Sequence, residues 1–148
     1  MNKYLYYTLW ILISLFLGSL ANGLILTVGP LIIEYPPGVS FATEASTIQS
    51  MKLLEPIHLM IPFVAHAMGT FISAFLMAVY IKKPYLKIAF IISLLYLIAG
   101  IYMVFLIPAP LWFDILDLTF AYIPMGYLGA KLGVKINVFK KNNQSLNK

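Results

Sequence analysis

Four continuous apolar stretches dominate this chain, at about residues 4–33, 57–81, 86–107 and 112–134. Each is long enough to cross a bilayer, since a helix rising 1.5 Å per residue needs about 20 apolar residues to do so. Backbone amides in hydrocarbon find no water, so a spanning segment must be a helix or part of a closed barrel. Barrel strands alternate apolar and polar residues, and these runs do not. Of the 148 residues 61% are apolar and 10% charged, against about 45–50% and about 25% in soluble domains. A single soluble core of this size leaves too much surface in water to hide such a composition, and disorder is excluded by the same abundance of apolar side chains. The expected fold is all-α: a polytopic membrane four-helix bundle forming one transmembrane domain over residues 1–148.

The breaks between the runs carry turn chemistry, namely Pro36-Pro37-Gly38, Lys82-Lys83-Pro84 and Pro108-Ala109-Pro110. The last two connections are short, so consecutive spans are expected to pack as antiparallel neighbours. The first connection, residues 34–56, is long enough to hold structure. Ser46-Thr47-Ile48-Gln49 has capping-box spacing, with Ile48, Met51 and Glu55 following at helical intervals. A short interfacial helix ending before Pro56 and an irregular loop both fit this segment. Residues 135–148, with Asn142, Asn143, Gln144, Ser145 and Asn147, read as a disordered tail.

Orientation follows from the lysines. In a four-span arrangement Lys3, Lys82, Lys83, Lys87, Lys131, Lys135, Lys140, Lys141 and Lys148 fall on one side. Lys52 and all the acids (Glu34, Glu44, Glu55, Asp114 and Asp117) fall on the other. Cations collect in cytoplasmic loops, which predicts both termini inside. The net charge of +5 is thereby a topological signal and not a nucleic-acid footprint. A cleavable leader is the competing reading of the N-terminus, with Lys3 and the small residues Ser19-Leu20-Ala21. The apolar run continues to Ile33, beyond the length of a signal h-region, which favours a retained span. Lipidation is not expected, as there is no cysteine and no N-terminal glycine.

Small residues mark the faces expected to pack. Ser14, Gly18 and Asn22 recur at four-residue intervals in the first run, as do Ala65, Gly69 and Ser73 in the second, while Gly129 and Gly133 form a small-xxx-small pair in the fourth. Such ridges let helix backbones approach closely. Pro62 and Pro124 are expected to kink their spans. They stand seven residues after Glu55 and Asp117 respectively, a weak internal echo. Trp10, Trp112, Tyr35, Tyr80 and Tyr85 are expected at the interfaces.

Polar groups within the spans are the positions to weigh for function. His66 lies about 4–5 Å outward of the middle of the second span, with Thr70 on the same face. Asn22 falls near the bilayer middle, and Asp117 about two turns inside the outer end of the fourth span. Close packing of the first, second and fourth spans would bring Asn22, His66, Thr70 and Asp117 into one ligand or proton site in the outer half of the membrane. The plainer reading makes Asn22 and His66 interhelical hydrogen-bond glue, and Asp114 and Asp117 first-turn carboxylates that favour the helix dipole.

Other chemistries find less support. The two histidines, His58 and His66, stand eight residues apart, too far along one helix to share an ion, and no third histidine exists for haem. Thiol and iron–sulfur chemistry need cysteine. No His-Glu-x-x-His pair or phosphate-cradling glycine loop is present, and Ser73 with His66 lacks hydrolase spacing. No catalytic residue, metal or cofactor is therefore assigned, and an enzyme is not expected.

The runs Ala65-His66-Ala67-Met68-Gly69-Thr70 and Pro108-Ala109-Pro110-Leu111-Trp112-Phe113, followed by Asp117-Leu118 and Ala121-Tyr122-Ile123-Pro124-Met125, resemble those of small uncharacterised bacterial four-helix integral membrane proteins. The resemblance covers the second to fourth spans. It implies a multi-pass location in the bacterial inner membrane and brings no reaction with it. The leading expectation is a non-enzymatic packing, assembly or regulatory subunit whose partners are the lipid bilayer and another membrane protein or a second copy of the chain. The rival is a small transporter or ion-coupled binding protein using the polar cluster.

Overall fold

The computed structural model describes the backbone of residues 2–81 and 85–146, and the side chains among these up to residue 136. Lys82, Lys83, Pro84 and Lys148, used above for a turn and for orientation, lie outside the described residues. The described chain is helical, in the order α1 (Lys3–Val28), a 3-10 turn (Gly29–Leu31), α2 (Glu44–Ser50), α3 (Pro56–Tyr80), α4 (Tyr85–Leu106), α5 (Leu111–Phe120) and α6 (Ile123–Leu146). No strand occurs among the described residues. Three segments are long and apolar enough to cross a membrane: α1 with its 3-10 turn, α3 and α4.

The fourth apolar run is not one helix. It divides into α5 and α6 at Ala121 and Tyr122. Helical bonding ends where the Ala121 N–H donates to the Asp117 carbonyl (2.9 Å), and resumes with Gly126 N–H donating to Tyr122 (2.8 Å). Pro124 has no N–H to offer the Phe120 carbonyl, and its ring crowds that carbonyl, so the turn ahead of it is where a helix gives way. α3 runs unbroken through Pro62, so the echo between the two prolines does not extend to the backbone.

Two other segments differ from expectation. The polar stretch after Val134 continues as helix to Leu146. It holds neither proline nor glycine after Gly133, and lysine and glutamine are good helix formers. In the 34–56 connection, named the outer connection for its expected side, Thr43 and not Ser46 is the N-cap of α2. The Thr43 hydroxyl accepts from Ser46 N–H (3.1 Å), while Ser46 Oγ accepts from Thr43 N–H (3.0 Å). Ser46 is thus the third-position partner of a capping box, and α2 stops at Ser50. The Pro36-Pro37-Gly38 turn is real: Gly38 has φ of +91°, a conformation that costs glycine least.

α3 is the central helix, packed most extensively against α1 and α6, with α4 lying across α3 and α6. Small residues permit this. Gly18 and Gly69 stand at the α1–α3 crossing, where a Cβ on Gly18 would run into the Gly69 carbonyl and the Ser73 hydroxyl. Along α6, a Cβ on Gly129 or Gly133 would collide with the carbonyls of Phe71 and Phe75 in α3. Backbone contact this close gives dispersion attraction that larger residues would forbid. Near the same level the Tyr96 hydroxyl of α4 reaches Ser73 Oγ of α3 (2.9 Å), Ser19 Oγ of α1 (3.2 Å) and the Leu15 carbonyl (3.0 Å). Ser73 itself donates to the Ser14 carbonyl (2.9 Å). This hub closes the bundle below the level of His66.

Candidate functional site

On the side of the Tyr96 hub that faces the 34–56 connection, the helices separate around a cavity of about 520 Å³. Leu26 and Thr27 of α1 line it, with Leu59, Pro62 and His66 of α3, Met103 and Val104 of α4, and Phe113, Asp114 and Asp117 of α5. The outer connection covers it with Tyr35, Phe41, Thr47, Met51 and Leu54. Most of the wall is apolar; its carboxylates and imidazole come from α5 and α3, and its one phenol is Tyr35.

His66 and Asp117 meet at this cavity. The Nδ1 atom of His66 is 2.9 Å from Oδ2 and 3.0 Å from Oδ1 of Asp117. A carboxylate accepts, so Nδ1 carries the hydrogen, an assignment drawn from the network. On the other side of the carboxylate, the Tyr122 hydroxyl donates to Oδ2 (2.9 Å). The Tyr122 ring stacks over the imidazole at 5.9 Å between centroids and an interplanar angle of 24°, and it fills the space beside Gly100 that a Cβ would occupy. Asp117 is 5% exposed, whereas 26% of the His66 side chain is exposed. The pair therefore presents its imidazole and buries its carboxylate. Among the described residues the second ring nitrogen, Nε2, has no hydrogen-bond partner.

The four residues expected to share a site do not all do so. Thr70 is buried one turn deeper and donates to the carbonyl of His66 in its own helix (3.0 Å). Asn22 packs against Gly69 at the α1–α3 crossing and is not in the cavity wall. Thr70 keeps to the His66 face of α3 but lies one turn further along it, whereas α1 is rotated so that Asn22 meets the α3 backbone and not the cavity.

Two site residues were not legible in the spacing. Tyr122 is five positions after Asp117, and on a continuous helix that places it about 140° round the axis. The break at Ala121–Tyr122 brings it back. Asp114 stands in the first turn of α5, as expected of a carboxylate favouring the helix dipole. Its three-residue spacing from Asp117 also puts it on the same helix face, and both line the cavity. Among the described residues Asp114 forms no ion pair, the one there being His66–Asp117.

The cover is tied down by His58, the other residue whose role the sequence did not disclose. Its Nδ1 accepts from Glu55 N–H (3.0 Å), and its Nε2 lies 3.1 Å from the Glu34 carbonyl. One ring thus joins the start of α3 to the start of the outer connection, in the neutral tautomer with hydrogen on Nε2. Ser50 adds a second tie, accepting from Ser40 N–H (2.8 Å) and donating to the Ser40 carbonyl (2.9 Å). Tyr35 packs beside His58 at 6.0 Å between ring centroids and beside Phe41 at 5.4 Å. It is a wall residue of the cavity, and burial raises its phenol above the ordinary tyrosine value of 10.0. Trp10 and Tyr80 stack on one another at 3.4 Å, tying α1 to α3 at the opposite end.

No group of three or more histidine and acidic side chains close enough to hold a metal ion occurs among the described residues. Compared with known protein families, curated proteins and solved structures, the chain matches none of them. The functional reading therefore rests on the residues of the site.

Proposed function

We propose that this chain is a multi-pass membrane protein of the transporter or ion-coupled binding class, with His66 and Asp117 as the charged centre of an intramembrane ligand site. The observation that carries the reading is the imidazole–carboxylate pair facing a cavity large enough for a small molecule, about 300–1,000 Å³ being usual for such sites. Ionisable groups at membrane depth are expensive to place and by default mark ion or substrate pathways. In this reading the chain crosses the bacterial inner membrane four times, the α5–α6 pair forming a broken fourth crossing. Both termini face the cytoplasm and the cavity opens towards the outer side. A broken helix whose discontinuity sits beside polar groups suits a binding site, because the non-helical backbone lies inside protein and not against lipid.

A second reading has an observation of its own. The Asp117 carboxylate is satisfied by His66 and Tyr122, and among the described residues no buried side-chain nitrogen or oxygen lacks a partner, as helix glue requires. In that case the chain is a packing, assembly or regulatory subunit. Proteoliposomes containing a pH-sensitive dye separate the two. The site reading expects proton movement that disappears in His66→Ala and Asp117→Asn while helicity and detergent stability largely persist. Flux unaltered by either change, together with modestly lowered stability, would establish glue and overturn the site.

A further inference from the structure

We propose that the cavity takes a lipophilic organic cation, its apolar body against the wall and its charge beside Asp114. This inference rests on the cavity being a ligand site and adds the chemical class of the ligand. The first ground is shape and lining: about 520 Å³ bounded chiefly by side chains such as Leu26, Met103, Val104 and Phe113. A hydrated inorganic ion gains nothing from such a wall, whereas an apolar body is favoured at roughly 25 cal/mol for each Å² it buries.

The second ground is charge. The cavity holds two carboxylates and one imidazole. Asp117 is answered from within the protein by His66 and Tyr122, and Asp114 forms no ion pair among the described residues. With both carboxylates ionised the cavity carries a net negative charge, one unit beside an imidazolium and two beside the neutral ring. Lys52, the lysine of the outer connection, is exposed and does not line the cavity. An anionic ligand would meet the carboxylate of Asp114 with no counter-charge beside it, and like charges repel. A cation supplies the missing counter-charge. Aromatic faces at Phe113, Tyr35 and Phe41 suit a desolvated cation as well, through attraction to the ring quadrupole.

The test uses two bulky ions of nearly the same size and opposite charge, tetraphenylphosphonium and tetraphenylborate. Equilibrium dialysis against the full chain in nanodiscs, with empty nanodiscs subtracted, should give saturable binding of one phosphonium per chain and no saturable binding of the borate. Asp114→Asn should weaken phosphonium binding about tenfold, the scale of losing one partly desolvated ion pair, with an unchanged circular dichroism spectrum. Val104→Trp, which fills the cavity from α4 and leaves both carboxylates in place, should abolish it. Equal binding of both ions, or phosphonium binding unaffected by Asp114→Asn, overturns the cation assignment and leaves the cavity a ligand site. Absence of saturable binding by either ion also overturns it. Proton flux dependent on His66 would then show that the site reading survives, and its absence that both fall.

Discussion

The imidazole of His66 and the carboxylate of Asp117 are 51 positions apart in sequence and 2.9 Å apart in space. That contact joins a residue one turn after Pro62 in α3 to the last turn of α5, and Tyr122 holds it from the helix break. Removing the Tyr122 hydroxyl tests how much the third member contributes. Tyr122→Phe keeps the ring beside Gly100 and His66 while deleting one donor to Asp117. It should lower stability by about 0.6–1.7 kcal/mol, the range of hydrogen bonds between membrane helices, as read by equilibrium unfolding in mixed micelles. No loss would mean that water replaces the phenol in the site.

The glycines of α1 and α6 differ in what an added side chain would meet. Gly18→Leu and Gly129→Leu each place a side chain against a carbonyl of α3, and main chain cannot rotate away as a side chain can. Both variants should fail to yield monodisperse protein on size-exclusion chromatography. Gly23 has no heavy atom within 4 Å of an added Cβ, so Gly23→Ala should be tolerated and slightly stabilising, because alanine favours helix by up to about 1 kcal/mol.

Pro124 decides where α5 ends. Pro124→Ala returns an N–H to the Phe120 carbonyl and removes the ring clash, so α5 and α6 should join with a gain of helical signal by circular dichroism. A continuous helix carries Tyr122 away from Asp117. The stacking of the Tyr122 ring on His66 should be lost in the same variant, which nuclear Overhauser contacts between the two rings would reveal.

His58 fastens the cover of the cavity through two main-chain partners. His58→Ala should raise amide hydrogen exchange across residues 34–55 by at least an order of magnitude, corresponding to about 1.4 kcal/mol of local opening, with α3 still protected. Equal exchange in the variant would show that Ser50 and the apolar contacts of Tyr35 hold the cover unaided.

Tyr35 supplies a pH dependence with a definite sign. Burial raises its phenol above the free tyrosine value of 10.0, so the neutral form is the one the folded cover accommodates. Its contribution to holding the cover is complete below pH 10 and is lost as pH rises towards the folded-state value. Wild-type protein should open over residues 34–55 in alkali, and Tyr35→Phe should withstand a higher pH, with hydrogen exchange or ultraviolet difference spectra as the readout.

The all-helical character and three of the four expected spans are legible in the sequence. They depend on run length and on the obligation of backbone amides to bond within their own segment, both of which are local. The glycines and serines of α1, α3 and α6 were also visible as small faces, because a four-residue interval stays on one side of a helix. Local pattern says nothing of how one helix is rotated against another. Asn22 and Thr70 have the same intramembrane polarity as His66, yet α1 turns Asn22 towards Gly69, and Thr70 bonds within its own helix. Tyr122 enters the site through a break at which the regular angle per residue no longer applies, and Asp114 gains meaning once a cavity lies in front of it. The apolar runs of this sequence dictate that helices form, since each helix meets its own hydrogen-bonding needs. Which polar groups face one another is decided by packing between helices, where Gly18, Gly69, Gly129 and Gly133 admit close approach and the remaining side chains take the orientations left to them.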